Sequence, residues 1–190
     1  GLLRPSPPQW VPDGRPGHLR RALEGSLRRL KLERIDLYQW HAPDSRVPFA
    51  ESFGALADMQ KAGKIRHLGL SNVSVAQLEQ ARHIAPVVSV QNSYSLDNRA
   101  SEDVLRACEK LGLAFLPWYP LGAGSALKSE KVKQVAARLK ATAAQVAIAW
   151  LLAKSPAMLP IPGTGNLRHL EENAGAAKLE FSAADLATLG

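Results

Sequence analysis

Three features of the sequence predict an α/β fold built on a parallel sheet. Short apolar runs alternate with amphipathic helical stretches from residue 18 onward. The connections between them are short, as right-handed crossovers between parallel strands require. The runs are apolar on both faces instead of alternating with polar residues, which suits strands covered by helices. Neither a Gly-x-Gly-x-x-Gly turn nor a Walker loop occurs, which weighs against the dinucleotide-binding and P-loop sheets. An open doubly wound sheet and a (β/α)-barrel both fit this pattern.

The chain has 190 residues, 46% apolar and 22% charged. That composition suits a single globular domain over residues 1–190 with a substantial core. No signal-peptide pattern opens the sequence. The longest apolar run, residues 146–153, falls well short of the ~20 residues of a membrane span. One cysteine, Cys108, excludes an intrachain disulfide and suits a reducing, cytoplasmic setting. It shares a helical face with Val104, Leu105 and Leu111 and reads as a core residue. The net charge of +7 raises the question of nucleic acid. However, Arg15, Arg20, Arg21, Arg28, Arg29, Lys31 and Arg34 interleave with Leu19, Leu23, Leu27 and Leu30 at helical spacing, the signature of a solvated helix face. No aromatic stacking platform accompanies them, so neither a nucleic acid nor a membrane is expected as a partner.

In chain order, residues 1–17 are rich in Pro and Gly and read as a loop carrying Trp10, which could border a substrate pocket. A helix over 18–30 precedes the run Ile35-Asp36-Leu37-Tyr38-Gln39-Trp40, whose β-branched and aromatic residues read as a buried strand. His41 ends this strand, before Pro43 and Asp44 stop it. Asp36 lies inside the strand, where a buried carboxylate needs partners. Tyr38 and Trp40 point to the face opposite His41, toward the core. A helix over 49–61 ends near Gly63, and a strand over 66–70 closes on Ser71-Asn72. Ser74 with Gln77 forms a capping box that opens a helix to residue 84.

A third strand, 87–90, ends at Gln91-Asn92, and Ser101 is placed to cap a helix that Gly112 terminates. Residues 114–118 read as a fourth strand, followed by the glycine-bearing loop 120–124. Helices follow over 131–139 and 142–154, the second opened by a Thr142/Gln145 capping box. Residues 158–161 read as a fifth strand closing on Pro162-Gly163-Thr164-Gly165. Asn166 caps a helix to about residue 178, and 182–189 is a last short helix. No domain linker or low-complexity tract interrupts this order.

The strand ends collect chemistry. They present His41, then Ser71 and Asn72, then Gln91, then Trp118 and Tyr119, then Gly163 and Thr164. In parallel α/β proteins ligands bind at the carboxyl ends of strands. Amides and hydroxyls, an aromatic face and Gly-rich backbone are what a nicotinamide dinucleotide needs for its carboxamide, ring and pyrophosphate. Singly, each Ser, Asn or Gly is equally explained by turn formation. It is the recurrence at five strand ends that points to a ligand.

These residues sit in longer motifs: Ser26-Leu27-Arg28-Arg29-Leu30; Ile35 through His41; Gly63-Lys64-Ile65-Arg66-His67-Leu68-Gly69-Leu70-Ser71-Asn72; Val90-Gln91-Asn92; Pro120-Leu121-Gly122; and Leu159-Pro160-Ile161-Pro162-Gly163-Thr164 with Leu170-Glu171-Glu172-Asn173. In that order and spacing the chain resembles the C-terminal portion of the aldo/keto reductases over essentially its whole length. The resemblance implies a (β/α)8 TIM-barrel type of fold, here a partial barrel of about five parallel strands with flanking helices. It also implies reduction of aldehydes or ketones to alcohols by hydride transfer from a nicotinamide cofactor, NADP(H) rather than NAD(H), with a small-molecule carbonyl compound as substrate.

Residue by residue, His41 matches the active-site histidine that orients and polarises the carbonyl. Ser71, Asn72 and Gln91 match the side chains that hold the carboxamide. Trp118 matches the aromatic residue stacked on the nicotinamide, where tyrosine is common. Tyr119, Leu121, Gly122 and Gly124 fall in the pyrophosphate loop. Gly163, Thr164, Arg168, Glu172 and Asn173 fall at the adenosine end, with Gly163 standing where some members carry a phosphate-binding lysine. No metal site is implied.

The family's tyrosine proton donor, its lysine and its aspartate precede residue 1 in this pattern, and none of Tyr38, Tyr94 or Tyr119 matches the donor. On this reading the chain lacks the first three barrel strands and is weak or inactive by itself, and its open sheet edges invite self-association. The alternative reading is a non-catalytic cofactor-binding or interaction module derived from such an enzyme.

Overall fold

The structure, a computed structural model, describes all 190 residues. They divide into two units, Gly1–Gln91 and Asn92–Gly190.

The first unit is organised by three parallel strands. β3 (Ile35–Trp40) pairs with β4 (Ile65–Ser71), and β4 pairs with β5 (Val87–Gln91). The helices α1 (Pro16–Leu30), α2 (Phe49–Lys61) and α3 (Val75–Ile84) connect and cover them. α1 starts on Pro16, whose fixed φ suits a first helical turn, and buries Leu19, Leu23 and Leu27 at four-residue spacing. α2 packs against α1, α3 and β4. The Ser74/Gln77 capping box of α3 forms as expected, with both reciprocal hydrogen bonds present.

Strand alternation sorts the side chains of β3. Trp40 is buried beneath α2, with ring centroids 4.9 Å from Phe49 and 6.0 Å from Phe53. Tyr38 on the same face is half-buried, and burial raises its hydroxyl pKa. On the opposite face Gln39 reaches Ser89 across β4, its amide donating to the Ser89 hydroxyl at 3.4 Å. The residue between them is Gly69, where a Cβ would stand 2.5 Å from Ser89 Oγ and 2.9 Å from Gln39 Cγ. Asp36 departs from expectation. Its side chain is 81% exposed and faces Arg66 at 3.5 Å, so it is a solvated surface charge and needs no buried partner.

Two differences concern the ends of elements. The first helix begins at Pro16, two residues before the expected start. Residues 1–15 contain a short antiparallel pair, β1 (Leu2–Leu3) with β2 (Val11–Pro12), which a Pro-rich sequence conceals because Pro lowers strand propensity.

The second unit is mostly helical: α4 (Glu102–Leu111), α5 (Glu130–Leu139), α6 (Ala143–Lys154), α7 (Leu167–Gly175) and α8 (Ala183–Leu189). α6 buries Val146 through Leu151 without a polar face, as a central helix does. Tyr94 is fully buried, edge-on to Phe115 at 5.9 Å and stacked near Trp150 at 6.3 Å. Its hydroxyl donates to the Glu102 carboxylate. Cys108 is a core residue, and burial pushes its thiol pKa up to about 12. No single helix is long and apolar enough to cross a membrane.

The expected fourth and fifth strands are much shorter here. β6 covers only Ala114–Phe115, because Pro117 has no N–H to continue a ladder. Trp118 instead makes a single parallel bridge to Ser93. Residues 158–161 reduce to one bridge, Met158 to Phe115, with Pro160 and Pro162 close behind. The capping boxes at Thr142 and Ser182 form, and Asn166 caps α7 through the Arg168 N–H. Ser101 stands at the start of α4 but its side chain does not cap, because its backbone (φ −102°, ψ 23°) is not in the extended conformation of a capping residue; its hydroxyl accepts from Asn92 Nδ2 at 3.4 Å. The last part of the expected 166–178 helix tightens into a 3₁₀ turn over Ala176–Lys178.

Gly69→Val tests the close approach of Gln39 and Ser89. Overpacking at this point is expected to cost about 1–3 kcal/mol of unfolding free energy, read as a lowered urea midpoint. Adding Ser89→Ala to a Gly69→Ala variant is expected to recover part of that variant's loss.

Candidate active site

Register builds the first half of the site. Trp40 lies opposite Leu70 and Leu70 opposite Val90, all three buried or nearly so. One residue further along, Ser71 lies opposite Gln91, and His41 follows Trp40 directly. The carboxyl ends of three adjacent parallel strands therefore place an imidazole, a hydroxyl and an amide in one row, with strands about 4.8 Å apart.

Asn72 ties this row together. Its backbone is left-handed, with φ of 60°, a conformation asparagine tolerates better than most residues. Its N–H donates to the Gln91 carbonyl at 3.1 Å. Its side-chain amide donates to the His41 carbonyl at 2.9 Å and to Ser71 Oγ at 3.0 Å. One residue thus links the ends of all three strands. Ser71 is buried, Gln91 half-buried, and His41 and Asn72 exposed.

Trp10 stands beside His41, ring centroids 5.6 Å apart at 47°. The surrounding chain partly desolvates the imidazole and lowers its pKa, which favours a neutral ring at pH 7. Together these groups can hydrogen-bond a carboxamide and polarise a carbonyl oxygen. His67 lies on β4, four residues before Ser71, and takes no part.

The support for Trp10 escapes the sequence reading. Asp13 and Asp44 are both buried and each is clasped by the arginine two residues on. Asp44 accepts from the Gly14 N–H at 3.0 Å and from Arg46 Nε at 2.9 Å. Arg46 also donates to the Pro12 carbonyl, and Ser52 Oγ donates to the Gly14 carbonyl at 2.8 Å. This network fastens the segment after Trp10 to the segment after His41. The repeated spacing Asp13-Gly14-Arg15 and Asp44-Ser45-Arg46 is the signal that could have revealed it.

The second unit holds the other expected residues. Trp118 is half-buried, its N–H donating to the Asn92 carbonyl at 3.1 Å. Tyr119 lies edge-on to it at 5.0 Å, 62% exposed and with φ of 53°. Gly122, Ala123 and Gly124 all have positive φ, and the loop closes on itself, the Gly122 and Gly124 N–H groups donating to the Tyr119 and Leu121 carbonyls at 2.8 and 2.9 Å. A side chain at Gly122 would collide with Ser125 Oγ, and Ser125 itself donates to Asp97 at 2.7 Å. Leu121 anchors the loop against Ile148, Ala149 and Ala176.

Gly163 and Thr164 lie in an exposed turn that leads into α7, where Thr164 Oγ1 accepts from the Asn166 N–H at 3.1 Å. Arg168 is 75% exposed and 3.6 Å from Glu172, while Asn173 is half-buried one residue on. Nothing lies within 4 Å of a Cβ built on Gly163, so space does not demand glycine there.

Hydrogen bonds from Arg15 and Arg46 hold Asp13 and Asp44 well below the usual carboxylate range. Their stabilisation is fully present above the unfolded-state value near ~4 and is lost as pH falls through the lower folded-state values. Asp44→Ala is expected to cost about 2–3 kcal/mol at pH 7. The deficit is expected to shrink on acidification below about pH 4, read by urea unfolding at a series of pH values.

Comparison with known proteins identifies the setting of these groups. The sequence matches the aldo/keto reductase family over residues 5–190. It is 45% identical, over its whole length, to an uncharacterized oxidoreductase of Schizosaccharomyces pombe, of which it covers 62%. It is 40% identical, again over its whole length, to pyridoxine 4-dehydrogenase of Escherichia coli, covering 68% of that protein. A solved aldo/keto reductase of Klebsiella pneumoniae, in complex with NADP and acetate, is similar with a TM-score of 0.80 at 30% identity. That match spans 90% of this chain and 63% of the other. The chain therefore spans 62% to 68% of the length of these relatives. Solved relatives are (β/α)8 barrels, and the strand–helix units of this chain correspond to part of one. By sequence and by fold, this chain belongs to the aldo/keto reductase family.

Proposed function

We propose that this chain serves NADP(H)-dependent reduction of aldehydes or ketones to alcohols, with His41 as the catalytic group that receives the carbonyl. The observation that carries the reading is the Asn72 clamp, which fixes His41, Ser71 and Gln91 in one row at the ends of three in-register strands. A left-handed non-glycine residue held by its surroundings is the kind of strain found at functional sites.

Bound NADPH supplies the hydride. What the chain supplies is placement. Ser71, Asn72 and Gln91 offer hydroxyl and amide groups suited to the carboxamide, which fixes the face of the ring. His41, favoured in its neutral form, would donate an N–H to the carbonyl oxygen and stabilise negative charge developing there while keeping its own proton, the proton that completes the alcohol being drawn from solvent. In the second unit, Trp118 offers an aromatic face. The glycines of the 119–124 loop, with open space at Gly124, let a pyrophosphate approach the backbone closely.

At the adenosine end Thr164, Arg168, Glu172 and Asn173 supply polar groups, and the guanidinium of Arg168 suits a 2′-phosphate. The solved relative with NADP supports the choice of NADP(H). Gly163 brings no cationic side chain to this end, so the charge suited to that phosphate is Arg168's.

Binding is tested with NADPH itself. Its nicotinamide fluorescence is expected to change on titration with the protein, and Gln91→Ala is expected to weaken binding about tenfold, the loss of one or two hydrogen bonds in a partly buried site. Unchanged affinity in Gln91→Ala would remove the carboxamide role from the β5 end.

A further inference from the structure

Trp118 lies just beyond Pro117, which has no N–H to carry the β6 ladder forward. Its main chain is held by residues 92–94. The Trp118 N–H donates to the Asn92 carbonyl at 3.1 Å, and the Trp118 carbonyl accepts from the Tyr94 N–H at 3.4 Å. Asn92 and Tyr94 are in turn fastened to the start of α4. The Asn92 side-chain amide donates to Ser101 Oγ at 3.4 Å, and the Tyr94 hydroxyl donates to the Glu102 carboxylate. All of these residues belong to the second unit.

Tyr94 is set from three sides. Its buried ring meets Phe115, three residues before Trp118, edge-on at 5.9 Å and stacks near Trp150 at 6.3 Å. On the third side stands Glu102. Burial raises the pKa of the phenol, so it stays a hydrogen-bond donor at neutral pH. Glu102 also pairs with Arg106 at 2.7 Å and Lys154 at 3.4 Å, so its charge keeps partners when the phenol is removed. We propose that Tyr94, locked by Glu102, is a positioning residue for the nicotinamide: it sets the Trp118 main chain and so the aromatic face on which the ring stacks. The inference rests on the reading of Trp118 as the stacking residue. A shift of the Trp118 main chain carries the whole indole with it, and ring stacking depends on offset and tilt.

A double-mutant cycle separates positioning from general stability. NADPH affinity is read from the nicotinamide fluorescence, and the folding of every variant from urea unfolding. Tyr94→Phe is expected to weaken NADPH binding about threefold to fivefold, part of the worth of one hydrogen bond. In a Trp118→Ala background the same change is expected to move affinity by less than about 1.5-fold, because the surface it positions is gone. Glu102→Ala is expected to match Tyr94→Phe. Glu102→Gln forfeits both ion pairs but keeps an acceptor for the phenol, and is expected to stay within about twofold of the unsubstituted protein. Val135→Ala, a core truncation on α5, is expected to lower the urea midpoint and leave affinity unchanged.

Unchanged affinity in Tyr94→Phe, or an equal loss with and without Trp118, would overturn the assignment. So would a loss in Glu102→Gln as large as in Glu102→Ala, or an equal loss in Val135→Ala. If Tyr94→Phe does not fold, the two Glu102 variants in the two Trp118 backgrounds decide the matter. Where Trp118→Ala by itself still weakens NADPH binding, the stacking reading stands and only the positioning role falls. If Trp118→Ala binds NADPH as tightly as the unsubstituted protein, or the unsubstituted protein does not bind it, the stacking reading falls and the positioning role with it.

Discussion

The pairing of β3, β4 and β5 over their last rows, beyond the register shift between Leu68 and Gly69, is the constraint on which the rest of the first unit depends. Parallel strands repeat their side chains row by row. A row that buries Trp40, Leu70 and Val90 fixes the next row as His41, Ser71 and Gln91. A slip of one residue in any strand would send a polar site group toward the helices and an apolar core residue into the site. The apolar burial that stabilises the sheet therefore also sets the geometry of the polar groups. Gly69 belongs to the same constraint, since only a residue without a side chain lets Gln39 and Ser89 meet across the middle strand.

Around that row two kinds of support operate. Asn72 links three strand ends through hydrogen bonds from one residue. The Asp13 and Asp44 network works at longer range, joining the chain that follows Trp10 to the chain that follows His41. Buried carboxylates are costly unless fully hydrogen-bonded, and both are satisfied by arginines two residues away and, for Asp44, by the Gly14 N–H. The second unit uses a different device. Its glycine loop takes left-handed backbone at Gly122, Ala123 and Gly124, closes turns on the Tyr119 and Leu121 carbonyls and is anchored by Leu121, so its shape owes nothing to a strand ladder.

Much of this was legible in the sequence. The limits of β3 and α2 were read correctly, because a continuous β-branched and aromatic run, and a helical stretch closed by Gly63, leave little freedom. The capping boxes at Ser74 and Thr142 announced their helices by local chemistry alone. Where the reading failed, either a local breaker or exposure within the run, or a distant partner, decided the outcome. Pro117, Pro160 and Pro162 shortened two strands whose composition looked adequate. Ser101 does not cap because its backbone is not extended. Asp36 looked like a buried carboxylate because it sits inside a strand, yet it faces solvent. The Asp13–Asp44 network was missed because its partners are 30 or more residues apart, although each Asp-x-Arg pair is visible locally.

The central claim is that the side-chain amides at the ends of β4 and β5 take the nicotinamide carboxamide. Two-dimensional ¹H–¹⁵N spectra of the protein titrated with NADPH test it most directly, since side-chain amide signals report on these groups individually. The account predicts that the Asn72 and Gln91 side-chain signals shift together along one saturation curve. Saturable NADPH binding that leaves both signals unmoved would contradict it.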